Sequence, residues 1–140
     1  MKLTDKQYKE LVSAAKVARG GSYSPFSHFA VGAALLTKDG KVYTGCNVEN
    51  SSYSATMCAE RVAFFHAVAE GEREFSAVAV VGGAAGGESV DECQPCAVCL
   101  QVMAEFCNGD FPVVLGTADD YKIHTLSSLL PLAFTPDSLK

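Results

Sequence analysis

With 140 residues, 49% of them hydrophobic and 19% charged, the chain carries enough apolar side chains to fold as one domain over 1–140 and too many to stay disordered. A formal net charge of -5, with Lys and Arg scattered along the chain, excludes the basic stripe that binding to DNA or RNA requires. No apolar run is long enough to span a bilayer, and Lys2-Leu3-Thr4-Asp5-Lys6 is too charged for a signal peptide, so a cytoplasmic protein with no membrane partner is expected.

Thr4-Asp5-Lys6-Gln7 reads as a capping box, and Tyr8, Leu11, Val12, Ala15 and Ala18 follow at helical spacing until Gly20-Gly21. After a loop at 22–26, the stretches 29–37 and 42–48 read as an antiparallel hairpin around Lys38-Asp39-Gly40. Gly32 inside the first of these strands marks a close approach by another backbone. A second helix is expected over 57–70, with Cys58 at its N-terminus, Val62, Phe65 and Ala69 on its core face and Gly71 as its stop.

The near-continuous apolar stretch 75–81 suits a central strand covered on both faces. Gly82-Gly83-Ala84-Ala85-Gly86-Gly87 reads as a linking loop, lacking the lysine and helix that follow a phosphate-binding loop. Pro95 suits the start of a third helix over 95–107, where a missing amide hydrogen does no harm. Strands at 112–117 and 121–125 and a short helix at 126–130 complete the chain. This order points to a three-layer α/β/α fold with a mixed five-stranded sheet.

The chemistry concentrates in Cys58-Ala59-Glu60 and in Pro95-Cys96-Ala97-Val98-Cys99. In a reducing compartment the 6 cysteines serve as ligands or small buried side chains more readily than as disulfides. Two sulfurs three residues apart at a helix start can aim at one point, and a third from another helix start completes a set suited to zinc. Three protein ligands leave the fourth tetrahedral position open, as in catalytic zinc sites. Other readings of the same residues remain: a closed structural zinc on Cys93, Cys96 and Cys99 with Cys58 or Cys107, an iron–sulfur centre lacking its fourth ligand at the usual spacing, or a redox Cys96–Cys99 pair. Cys46 and Cys107 otherwise read as core, and His28, His66 and His124 as packed or surface histidines.

Those two motifs are joined by Ser24-Pro25-Phe26-Ser27, Phe29, Val31-Gly32-Ala33-Ala34-Leu35, Gly45-Cys46-Asn47-Val48-Glu49-Asn50, Arg61, Leu129-Leu130-Pro131 and Phe134. Together they resemble the small cytidine deaminases of nucleoside salvage. The resemblance implies one Zn²⁺ per subunit on Cys58, Cys96 and Cys99, with Glu60 as the catalytic acid and base. It implies substrate contacts from Phe29 against the pyrimidine, from Asn47 and Glu49 to the ribose hydroxyls, and from Tyr53, Ala59 and Phe134, the last reaching into a neighbouring subunit of a homotetramer. Arg61 would donate to the thiolates, whose charge exceeds that of the ion and needs an offset. The implied reaction converts cytidine or deoxycytidine to uridine or deoxyuridine with release of ammonia, and Glu60 fits the carriage of both protons.

The chain departs from the usual pattern of that family at Ala97, where glycine is customary, and at Leu100, where arginine is. Both sit beside the metal ligands. They keep open a modified cytosine nucleoside or a nucleoside antibiotic as substrate, and a structural-zinc binding module stands as the reading from another class.

Overall fold

A computed structural model describes residues 2–90 and 92–140. Helix α1 (Asp5–Arg19) opens on the expected capping box: the Thr4 hydroxyl accepts from the Gln7 amide at 3.2 Å, and the Gln7 side chain accepts from the Thr4 amide at 2.8 Å. Strands β1 (Phe29–Thr37) and β2 (Val42–Cys46) form the hairpin, and α2 (Ala59–Ala69), β3 (Phe75–Ala84) and α3 (Ala97–Phe106) follow. Strands β4 (Pro112–Gly116) and β5 (Tyr121–Thr125) lead into the short α4 (Leu126–Leu129).

The sheet order is β2-β1-β3-β4-β5, antiparallel except for the β3–β4 pair. A parallel pair cannot be joined by a tight turn, and α3 supplies the crossover. Alternation along the strands then divides the core between two faces. Tyr8, Leu11, Val12 and Ala15 of α1 pack on Ala34, Ala77, Ala79, Val81 and Val114. The opposite face carries Ala33, Leu35, Val78, Val80, Val113 and Leu115 under α2 and α3. The three-layer architecture with a mixed five-stranded sheet is therefore the observed one. No helix among the described residues is long and apolar enough to cross a membrane.

Gly32 is where the first layer comes closest. A Cβ there would stand 2.1 Å from the Ala15 carbonyl oxygen and 2.4 Å from the Arg19 amide nitrogen, so only glycine lets the end of α1 rest on β1, as the sequence predicts.

Three expectations are corrected. The core face of α2 is Ala63, Phe64 and Ala67, whereas Val62 is half-buried and Phe65 and Ala69 are exposed. The helix is apolar almost all round, so the pattern alone does not select a face. The alanines at 59, 63 and 67 are fully buried beside Phe64, while Phe65 turns outward. Second, β3 runs on through Gly82 and Gly83 to Ala84, and these residues pair with Val31, Ala30 and Phe29. The strand needs glycine because the following loop folds back over its end: a Cβ at Gly82 would meet Cys93 Sγ at 2.5 Å. Third, α3 begins at Ala97, so Pro95 lies before the cap and Cys96 is the cap itself.

Candidate metal centre and active site

Cys58 caps α2 and Cys96 caps α3, both with extended backbone and neither with a side-chain capping bond. The free amide hydrogens of each first turn, and the positive end of each helix dipole, therefore stand beside a sulfur. Cys99, in the first turn of α3, brings the third. The Cys58 and Cys96 sulfurs are 3.7 Å apart, those of Cys96 and Cys99 3.5 Å, and all three lie within 4.8 Å of one another. Tetrahedral zinc with Zn–S bonds of about 2.3 Å places its thiolates about 3.8 Å apart, so the set fits zinc without rearrangement.

Cys93 and Cys107 are not part of this cluster, which leaves three ligands and disfavours the closed four-thiolate alternative. Cys107 packs against the core as expected, and burial pushes its thiol up to about 12. Burial likewise raises Cys93 to about 11. Cys93→Ser is expected to retain the parental zinc content, measured by elemental analysis of the purified protein. Loss of the ion in that variant would restore the four-thiolate reading.

The charges around the sulfurs are arranged to hold thiolate. The Cys58 thiol is pulled down to about 5, first by the Cys99 thiol beside it and then by Arg61 and Cys96, against its partial burial. Its partner Cys99 is raised, by its bond to Cys58 and by burial. The Arg61 guanidinium donates from Nη2 to Cys58 Sγ at 3.4 Å, and that contact makes it hold its own proton more tightly. Arg61 Nε is buried with no hydrogen-bond partner among the described residues.

Glu60, two residues past the α2 cap, is only 4% exposed. Burial raises its carboxyl to about 7, and the charge on Cys58 adds to the shift. A carboxyl held near neutrality is suited both to take and to give a proton.

The segment carrying Asn47 and Glu49 is bound to this centre by its backbone. Val48 and Met57 exchange amide–carbonyl bonds of 2.9 Å in both directions, and Met57 immediately precedes Cys58. Asn47 Oδ1 accepts from the Val31 amide at 2.9 Å and from Ser22 Oγ at 2.5 Å, while Nδ2 donates to the Phe29 carbonyl at 2.8 Å. An amide side chain offers two acceptor and two donor places, so one N–H remains for a ligand. Glu49 Oε1 accepts from the Phe26 and Ser27 amides at 2.9 and 3.1 Å, and Oε2 accepts from the Ser27 hydroxyl. Those bonds, the Ser27 hydroxyl first, hold the Glu49 carboxyl below its usual range.

Glu49 and Tyr53 line an open cavity of about 350 Å³ together with Phe26, Ser27 and Thr56. Tyr53 packs edge-on against Phe26 with ring centroids 5.8 Å apart. Phe29 is partly exposed, and its ring lies by Gly82 and Cys93. Ala59 is fully buried at the start of α2. Phe134 is 59% exposed in the C-terminal segment, whose course is tied to α3 by Gln101 Nε2 donating to the Phe134 carbonyl at 2.8 Å. His66 is exposed, and His124 pairs with Glu92 at 2.6 Å, as befits histidines outside the metal centre. Ser22, which braces Asn47, carries no mark in the sequence, and Ser27 appears there only within the Ser24-Pro25-Phe26-Ser27 motif, without its role of bracing Glu49.

The sequence model of the cytidine and deoxycytidylate deaminase zinc-binding region matches residues 5–115. The chain belongs to this family. It is 50% identical over 132 residues to a cytidine deaminase of Sporosarcina psychrophila, covering 94% of this chain and 93% of the relative. A cytidine deaminase of Halalkalibacterium halodurans is 48% identical over 130 residues, 92% and 95% of the two chains. The crystal structure of cytidine deaminase from Burkholderia pseudomallei superposes with a TM-score of 0.81 at 48% identity, over 89% of this chain and 97% of that one.

Proposed function

We propose that this protein is a zinc-dependent cytidine deaminase, one domain per chain and one zinc ion per subunit, that converts cytidine and deoxycytidine with water to uridine and deoxyuridine and ammonia. The observation that carries this reading is the convergence of three sulfurs from two helix caps on one point beside a buried carboxyl. Zinc on Cys58, Cys96 and Cys99 would supply the Lewis acid that activates water for attack on C4 of the ring.

The chain's own residues supply the remainder. Glu60 takes the proton of the attacking water, passes it to ring N3, and then carries the proton of the new C4 hydroxyl to the departing amine, which leaves as ammonia while the C4 carbonyl forms. Burial serves this cycle, because a desolvated carboxylate releases its charge readily. The two helix starts and Arg61 offset the negative charge of the sulfurs. Phe29 would stack on the pyrimidine, and Ala59 at the floor of the α2 start would face the ring. The remaining N–H of Asn47 and the remaining acceptor place on Glu49 suit the ribose hydroxyls.

Arg61→Ala is expected to leave zinc content unchanged and to lower turnover. Loss of a positive charge at the sulfurs makes deprotonation in the site harder, so the rising limb of the kcat profile moves to higher pH. An unchanged profile, followed by ammonia release across pH, would remove this role.

Tyr53, Phe134 and Leu132 are largely or fully exposed, and Leu132 sits at a left-handed φ of 53°. We infer a homotetramer in which a neighbour covers these side chains and Phe134 closes a neighbour's pocket. The six free cysteines and a thiolate site that oxidation would destroy suit a reducing cytoplasm.

Leu100, at the position where the family customarily has arginine, is 6% exposed and packs from α3 into the core. Ala97 is exposed. Neither change alters the sulfur cluster, and identity of 48–50% to cytidine deaminases favours the unmodified nucleoside over an antibiotic. The test is ammonia release by the zinc-loaded protein on cytidine and deoxycytidine; inertness toward both would overturn the reading.

A further inference from the structure

Arg19 ends α1, and each of its guanidinium nitrogens donates to a backbone carbonyl: Nε to Ala30 at 3.0 Å, Nη1 to Gly87 at 3.1 Å and Nη2 to Ala84 at 2.6 Å. The three acceptors belong to three different segments, the start of β1, the end of β3 and the turn that follows it. That turn is itself closed by backbone bonds, from Gly87 to Ala84 at 2.9 Å, from Ala85 to His28 at 2.8 Å and from Val90 to Gly82 at 2.7 Å. A single side chain therefore ties together Ala30, which follows Phe29, Ala84, which pairs with Phe29, and the turn at Gly87.

Phe29 pairs with Ala84 in the β1–β3 register. Its ring carbon Cε2 stands 3.1 Å from the place a Gly82 Cβ would take, and Cys93 Sγ stands 2.5 Å from the same place. The seat of the ring is thus set by three things: where β1 starts, where β3 ends and how the turn at 85–90 folds back. Arg19 bonds directly to all three. Its planar fork can donate along three divergent directions at once, which a lysine ammonium on a flexible stem does not reproduce.

We propose that Arg19 is a positioning residue for the base pocket, holding the wall made by Phe29 and the loop after β3 so that the pyrimidine binds, without touching substrate or metal. The proposal rests on the reading of Phe29 as the ring's aromatic contact. No short-range feature of the sequence marks Arg19, which there looks like an ordinary basic residue at a helix C-terminus.

The test is steady-state kinetics on cytidine with the zinc-loaded full chain, comparing Arg19→Met, Arg19→Lys, Phe29→Ala and the Arg19→Met/Phe29→Ala double variant. Arg19→Met is expected to raise KM about tenfold with kcat within about twofold of the parent and zinc content unchanged. Arg19→Lys, which keeps the stem and charge, is expected to raise KM in the same direction and serves if the methionine variant does not fold. In the Phe29→Ala background, Arg19→Met should change KM by less than about twofold, since coupled residues lose their effect together. A parental KM in both Arg19 variants beside a raised KM in Phe29→Ala overturns the proposal alone. Equal loss of kcat and kcat/KM, or full additivity in the double variant, also overturns it. A parental KM in Phe29→Ala overturns the reading of Phe29, and the proposal with it.

Discussion

Glu60→Ala is expected to reduce ammonia release from cytidine by about 10⁴-fold, the upper end of what a positioned acid–base group contributes, while zinc content and fold stay as in the parent. The side chain is not in the sulfur cluster, so its removal leaves the ligand set complete. In the proposed mechanism both proton transfers pass through this one carboxyl, the transfer to N3 and the transfer to the leaving amine, and neither has a substitute among the groups named at the site. Arg61 is held too strongly protonated by Cys58 to act as a base. Glu60→Gln separates charge from shape: it keeps the volume and a hydrogen-bonding head but cannot accept the proton, and the same loss is expected. Turnover surviving in either variant, with zinc still bound, would remove Glu60 from the mechanism.

Gly45→Ala should unfold the protein more readily and weaken its hold on zinc, although residue 45 is not a ligand. An added Cβ would lie 2.5 Å from the Ala63 amide nitrogen, 2.6 Å from the Ala59 carbonyl oxygen and 2.9 Å from Val62 Cβ. Two of those atoms are backbone of the first turns of α2 and cannot rotate away, so the whole helix must move off β2. Overpacking of this kind costs about 3 kcal/mol, a fall in Tm of roughly 10 °C for a chain of this size. The helix that moves carries Cys58 at its cap and Glu60 in its first turn, so the displacement separates one sulfur from the pair on α3. Thr44→Ala, on the exposed side of the same strand, is the control. Calorimetry and a zinc-chelator competition read the two effects, and a Gly45→Ala protein with parental values of both would show that α2 is not seated by this contact.

What the sequence by itself determined is whatever depends on neighbours within a few residues. The Thr4–Gln7 box, the start of α1, the cysteines three apart at a helix start and the carboxyl two residues past Cys58 are set by helix geometry, which has a short reach. The number of strands and the three layers follow from hydrophobic periods of similar reach, and the resemblance to the deaminase family rests on the same local motifs. The tertiary structure alone decided which face of α2 is buried, because Val62 and Phe65 satisfy a helical period as well as Ala63, Phe64 and Ala67 do, and only the packed layers show that the second set is covered. It alone made strand out of Gly82 and Gly83, left Cys93 out of the sulfur cluster and set Arg19 against three carbonyls distant in the chain. Such outcomes depend on backbones that meet only after the layers have packed, and no pattern within one segment carries that information.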